Sequence, residues 1–251
     1  VKKLRGTPLA WWHRLTFPGA LYYLAVAAFF TSAAGIFFGN KYVLPALDVV
    51  GALPALAWVR LRRRFHATAY AVLFWAFWKT AAVAFFTVLM PARAAAAVAW
   101  GRGYAGGTLL WLSSGADIAG VGAATALRLK PTLLLAGASL FSAGVGGLVA
   151  AAALLNCQAY YFGVLLSRAV APWRVLAFGW PLWELLRAFG LANILVAAAG
   201  PGVMWLRRRP FRGRDVRDGI FVGLLMLAAA FVARAALAPW WRALLEPGVL
   251  F

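Results

Sequence analysis

Acidic residues are scarce in this chain, with six Asp and Glu against 25 Lys and Arg, for a net charge of +19 over 251 residues. Charged residues of both signs make up only 12%, about half of what soluble domains carry. A water-soluble fold of this size needs more polar surface than that, so a soluble globular protein is excluded. Cysteine is limited to Cys157, which excludes a disulfide framework. Histidine is limited to His13 and His66, too few and too far apart for a histidine-based zinc cluster. No H-E-x-x-H and no G-x-S-x-G is present. Disorder is excluded by what fills the rest, since 65% of the residues are hydrophobic and 15% aromatic.

What remains is an integral membrane protein with several spanning helices. The basic residues fall in short clusters between long apolar runs: Lys2, Lys3, Arg5 and Arg14; Arg60 and Arg62 to Arg64; Arg128 and Lys130; and Arg207 to Arg209 with Arg212, Arg214 and Arg217. A nucleic-acid binder would place them on one continuous face, so no nucleic-acid partner is expected. Basic loops are instead retained on the cytoplasmic side during insertion. The expected fold is a single all-α polytopic membrane bundle over residues 1–251, with the N-terminus cytoplasmic in a bacterial inner membrane.

Seven crossings are expected, at residues 17–38, 42–59, 68–90, 107–127, 132–155, 190–205 and 219–238. The first run of 22 residues gives about 33 Å of helix, enough to span and too long for a cleaved leader, so it reads as a retained anchor. Residues 42–59 are weaker, with Pro45, Asp48 and Pro54 inside, but a non-crossing segment would leave four arginines outside. Residues 156–158 read as an exit from the membrane. The stretch 159–189 is too short for two further crossings, so a re-entrant or Pro181-broken segment is expected there. Trp11, Trp12, Trp58, Trp205, Trp240 and Trp241 stand at run ends, as interfacial tryptophans do.

Two motifs have plainer readings than their patterns suggest. Gly101-Arg102-Gly103-Tyr104-Ala105-Gly106 matches G-x-G-x-x-G, but no strand precedes it, and a flexible turn between spans is expected. Gly137-Ala138-Ser139 resembles an intramembrane serine site without a histidine base in any span. The small residues Ala138, Ser142, Ala143, Gly146 and Gly147 are instead expected to let another helix approach closely. Cys157 reads as a small buried hydrophobe near the outer face.

The intramembrane charges carry more information, because each must be paired or wet. The polar candidates are Lys79, Asp117, Glu184, Arg187 and Arg234, together with Asp48; Asp48 and Arg234 lie where snorkelling is open to them. Glu184 and Arg187 stand at i and i+3, on one helix face. Mutual neutralisation inside the bundle and an ion, proton or substrate path are both open readings of this set.

The order of these features resembles the stage II sporulation protein M family. A first span ends Gly35-Ile36-Phe37-Phe38-Gly39-Asn40, and a small-residue span ends at Asn156. A proline-marked segment with an acid follows (Trp180-Pro181-Leu182-Trp183-Glu184), and a last helix closes at Ala238-Pro239-Trp240. The resemblance covers residues 17–40 and 131–245. It implies a bacterial membrane scaffold, which in spore formers brings peptidoglycan-degrading partners to the engulfing septum. The resulting expectation is a non-enzymatic scaffold or subunit of an envelope complex, with the lipid bilayer, a membrane-protein partner or a second copy around it. No catalytic residue, metal or cofactor is expected. The alternative is a transporter or permease subunit with a polar path near Lys79, Asp117 and Glu184.

Overall fold

The structure, a computed structural model, describes residues 15–62, 65–115, 121–206 and 213–250. Its named elements are α1 (Phe17–Phe38), α2 (Val43–Arg62), α3 (Phe65–Leu89), α4 (Pro91–Ala97), α5 (Gly101–Ser114), α6 (Val121–Phe141), α7 (Val145–Ser167), α8 (Pro172–Phe178), α9 (Leu182–Leu206) and α10 (Gly213–Leu245). A 3-10 turn, Glu246–Gly248, closes the chain. Six of these helices are long and apolar enough to cross a membrane: α1, α2, α3, α7, α9 and α10. The chain is a multi-pass membrane protein with an all-helical bundle.

Local chemistry sets the helix ends. The Thr16 hydroxyl accepts the Gly19 N–H at 3.2 Å and caps the start of α1. Gly39, at φ 63°, ends that helix in the left-handed conformation that glycine adopts without strain. The chain then reverses into α2, which packs so closely on α1 that a Cβ on Gly35 would lie 2.8 Å from the Leu44 Cα. Helix α3 returns alongside both.

Contacts at three levels fix the relation of α3 to α7. Thr68 and Val72 share a cavity wall with Leu148, Lys79 meets Asn156, and Gly163 sits against Ala84 and Thr87. The two central helices therefore run parallel. A chain that finishes α3 at one end must return before it begins α7. Helix α6 makes that return, running antiparallel to α7 with Ser139 against Gly147 and, further from the turn, Leu135 sharing a cavity wall with Ala151. Helices α9 and α10 complete the bundle as a hairpin, with Gly190 and Gly223 back to back.

Arg60 of α2 and the start of α10, with Arg214 and Arg217, come together at one end. Arg60, near the end of α2, reaches within 3.4 Å of where a Cβ of Gly200 would stand, and Val216 lies against the same glycine. At the opposite end α5 is clamped by the long last helix. Arg242 donates from Nε to the Leu112 carbonyl at 2.7 Å and from Nη2 to the Ser113 carbonyl at 2.9 Å. A cation thus satisfies the last carbonyls of α5, where the helix dipole is negative.

Several sequence expectations are corrected. The expected crossing at 107–127 does not exist as one helix, because α5 stops at Gly115 (φ 71°). Residues 128–130, expected in a loop, lie within α6. The expected crossing at 132–155 is cut by a turn at 142–144, where Ala143 (φ 52°) and Gly144 (φ 99°) are left-handed. The missing side chain of Gly202 on α9 accommodates it: a Cβ there would lie 2.9 Å from the Ala143 Cα. The chain does not exit at 156–158 but continues as helix to Ser167. The break expected at Pro181 is present: α8 ends at Phe178, and the Pro181 carbonyl accepts the Glu184 N–H at 2.9 Å to open the 25-residue α9. The segment 159–189 is thus the end of α7, the short α8 and the start of α9. The glycine-rich motif at 101–106 is the first part of α5, not a turn.

Candidate functional site

Three consecutive residues at the middle of α7 tie it to three other parts of the bundle. A helix turns about 100° per residue, so Asn156, Cys157 and Gln158 point in three directions. Asn156 faces α2 and α3, the Cys157 thiol donates to the Ala99 carbonyl between α4 and α5 at 3.1 Å, and Gln158 faces α9. All three are buried. An amide in an apolar helix must find partners, and each of these does.

The Asn156 side is an ion pair sealed from solvent. Lys79 Nζ lies 2.6 Å from Asp48 Oδ2, and both side chains are fully buried. The Lys79 ammonium also donates to Asn156 Oδ1, and Asn156 Nδ2 donates to Asp48 Oδ2 at 3.4 Å. From α1, the Ser32 hydroxyl lies 3.4 Å and the Thr31 hydroxyl 3.2 Å from Asp48 Oδ1. Thr31 has one proton and lies 2.8 Å from the Ala27 carbonyl, so it serves one acceptor at a time. Four helices thus supply one closed polar group. Desolvating two charges is expensive, and the extra hydrogen bonds offset part of that cost.

The Gln158 side is more open. Gln158 Nε2 donates to Glu184 Oε2 at 2.6 Å, and Arg187 Nη1 lies 3.2 Å from the same oxygen. Glu184 stands in the first turn of α9, where the helix dipole favours a negative charge. One turn further along α7, the Tyr161 hydroxyl is buried with no hydrogen-bond partner. Its ring packs edge-on against Tyr104 of α5, centroids 6.2 Å apart.

The structure therefore sorts the sequence candidates. Asp48 does not snorkel; it is the partner of Lys79, because its position on α2 faces the bundle interior. Glu184 and Arg187 meet each other and Gln158. Arg234 is half-buried, with its guanidinium 5.9 Å from the centroid of the Trp111 ring. Asp117 lies outside the described residues. Lys79 and Glu184 belong to two separate groups bridged by α7. The small residues Ala138, Ser142, Ala143, Gly146 and Gly147 surround the α6–α7 turn and do not form the face of one helix. There Ser142 Oγ donates to the Ala138 carbonyl and accepts the Gly146 N–H at 2.6 Å.

Thr31, Ser32 and Gln158 were not singled out by sequence reasoning, and Asn156 only as a span end. The available signal was the apolar run 159–166 after them, which continues the helix. Trp241 stands at a run end, where an interfacial ring is expected, but it is buried, and its indole donates to the Phe178 carbonyl at 2.6 Å. Among the described residues, no group of three or more His, Cys, Asp or Glu is placed to hold a metal ion. No family model, curated protein or solved structure matches the chain.

Proposed function

We propose that this chain is a non-enzymatic protein of the bacterial cytoplasmic membrane, a scaffold or subunit of an envelope complex, with its arginine-rich end in the cytoplasm. One observation carries the reading: the deepest charges, Asp48 and Lys79, are spent on each other and on Asn156. An ion pair whose partners all come from the protein's own helices fixes how α1, α2, α3 and α7 meet. That is a structural use of charge, suited to a protein whose task is to present a fixed outer surface. The resemblance to the stage II sporulation protein M family supports it, since Asn156 and Glu184, both quoted for that resemblance, are the residues that bind the two charged groups to the bundle.

A permease subunit is the competing reading. It is favoured by the placement of two ionisable pairs on either side of one central helix, because intramembrane charges mark transport paths in many proteins. The test is the variant Asp48→Leu with Lys79→Met, which removes both charges at similar volume. For a scaffold, the variant inserts, melts near the parent and restores the phenotype of a deletion strain. A folded variant that fails to restore it would move the reading to the permease.

A further inference from the structure

A cavity of about 130 Å³ opens between α2, α3, α7 and α9 at the arginine-rich end. Its walls are almost wholly aliphatic, with Leu53, Leu56, Leu61, Leu148, Leu195 and Val203 among them. The polar side chains in the wall are Arg60 and Thr68. Arg60 is half-buried, and its guanidinium lies over α9 at Gly200, where the missing side chain leaves it room. An apolar slot of this kind is not a water site, since it offers too few hydrogen-bond partners. It matches a ligand with a hydrocarbon chain and an anionic head.

We propose that this cavity binds one acyl chain of an anionic phospholipid, with the phosphate held by Arg60. Charge complementarity selects that occupant. Arg60 supplies the positive charge in the wall, and Arg62 to Arg64 follow it in the chain. Basic pockets between transmembrane helices on the cytoplasmic side recognise anionic head groups in this way.

The experiment compares phosphatidylglycerol, phosphatidylcholine and glycerol phosphate as additives to the full-length protein in mild detergent, read as the melting temperature. Phosphatidylglycerol at about tenfold its Kd should raise Tm by roughly 3–6 °C, with no rise for the other two. Arg60→Gln should abolish the rise, as should Val203→Phe, which fills the slot. Ala57→Phe at the mouth is the second filling variant should Val203→Phe not fold. Arg214→Gln with Arg217→Gln, exposed on the same end, should leave the rise intact. An equal rise with phosphatidylcholine would make the occupant a neutral chain, and an equal rise with glycerol phosphate would remove the chain from the site. A rise that survives Arg60→Gln, or that the Arg214 and Arg217 pair abolishes, would reduce the effect to diffuse surface attraction. Any of these outcomes overturns the proposal.

Discussion

The two ion pairs flanking α7 use the same chemistry in different surroundings. Asp48 and Lys79 are fully buried and come from separate helices, so their contact depends on the tertiary fold. Glu184 and Arg187 share one helix at i and i+3, and their side chains stay 12% and 21% exposed. Desolvation is complete in the first pair and incomplete in the second. The first should therefore be costly to disturb one partner at a time, and the second should be forgiving. What a charge pair contributes depends on what remains when its partner is gone: neutral donors alone near Asp48 (Asn156, Ser32 and Thr31), water as well as Gln158 near Glu184.

The largest expected effect comes from Lys79→Met. It leaves the Asp48 carboxylate without a counter-charge in a site closed to water, at a cost of about 3–5 kcal/mol. The measurement is the equilibrium unfolding free energy in detergent or bicelles. Adding Asp48→Leu should recover most of the loss, because neither charge then needs solvation. If Lys79→Met alone is nearly neutral, the pair is reached by water and the contrast with Glu184 collapses.

The neighbouring amides sharpen the comparison, since they lie two residues apart on one helix. Asn156→Leu removes two hydrogen bonds to the buried pair and should cost about 2–3 kcal/mol. Gln158→Leu removes one bond to a carboxylate that retains Arg187, and about 1 kcal/mol is expected. Thermal melts of the two variants in the same detergent make the check, with the order of the two effects as the decisive result. Equal losses would mean that exposure of the Glu184 group does not soften its energetics.

Much of this bundle is legible in run lengths, and the site is legible only in part. The apolar runs that became α1, α2 and α3 stand out because basic clusters and Gly39 bound them. The turn at 142–144 does not, because its cause is backbone conformation at Ala143 and Gly144, and glycine is too common here (25 residues) to mark one position. Asn156 and Gln158 look like a membrane exit because amides are polar; whether a buried amide is satisfied depends on neighbours that sequence does not locate. The Glu184–Arg187 contact follows from spacing along one helix. The Asp48–Lys79 contact does not, since it requires α2 to face α3 at one particular height, a property of packing.

The smallest expected effect concerns Glu184 and Arg187 together. At i and i+3 the two side chains meet without any help from the fold, so their attraction exists in the isolated helix as well. Part of the gain is therefore present before tertiary packing forms, and water reaches both groups. A double-mutant cycle with Glu184→Gln and Arg187→Gln isolates the pairwise contribution from the Gln158 bond, which each single variant leaves in changed form. A coupling of about 0.5–1 kcal/mol is expected, falling as salt is raised from low to about 0.5 M because partly exposed charges are screened. The matching cycle with Asp48→Leu and Lys79→Met should show a coupling several times larger and nearly independent of salt, because ions cannot enter that site. A salt-insensitive coupling of several kcal/mol at Glu184–Arg187 would place that pair in the same sealed class as Asp48–Lys79. The two sides of α7 would then differ in connectivity alone, not in exposure.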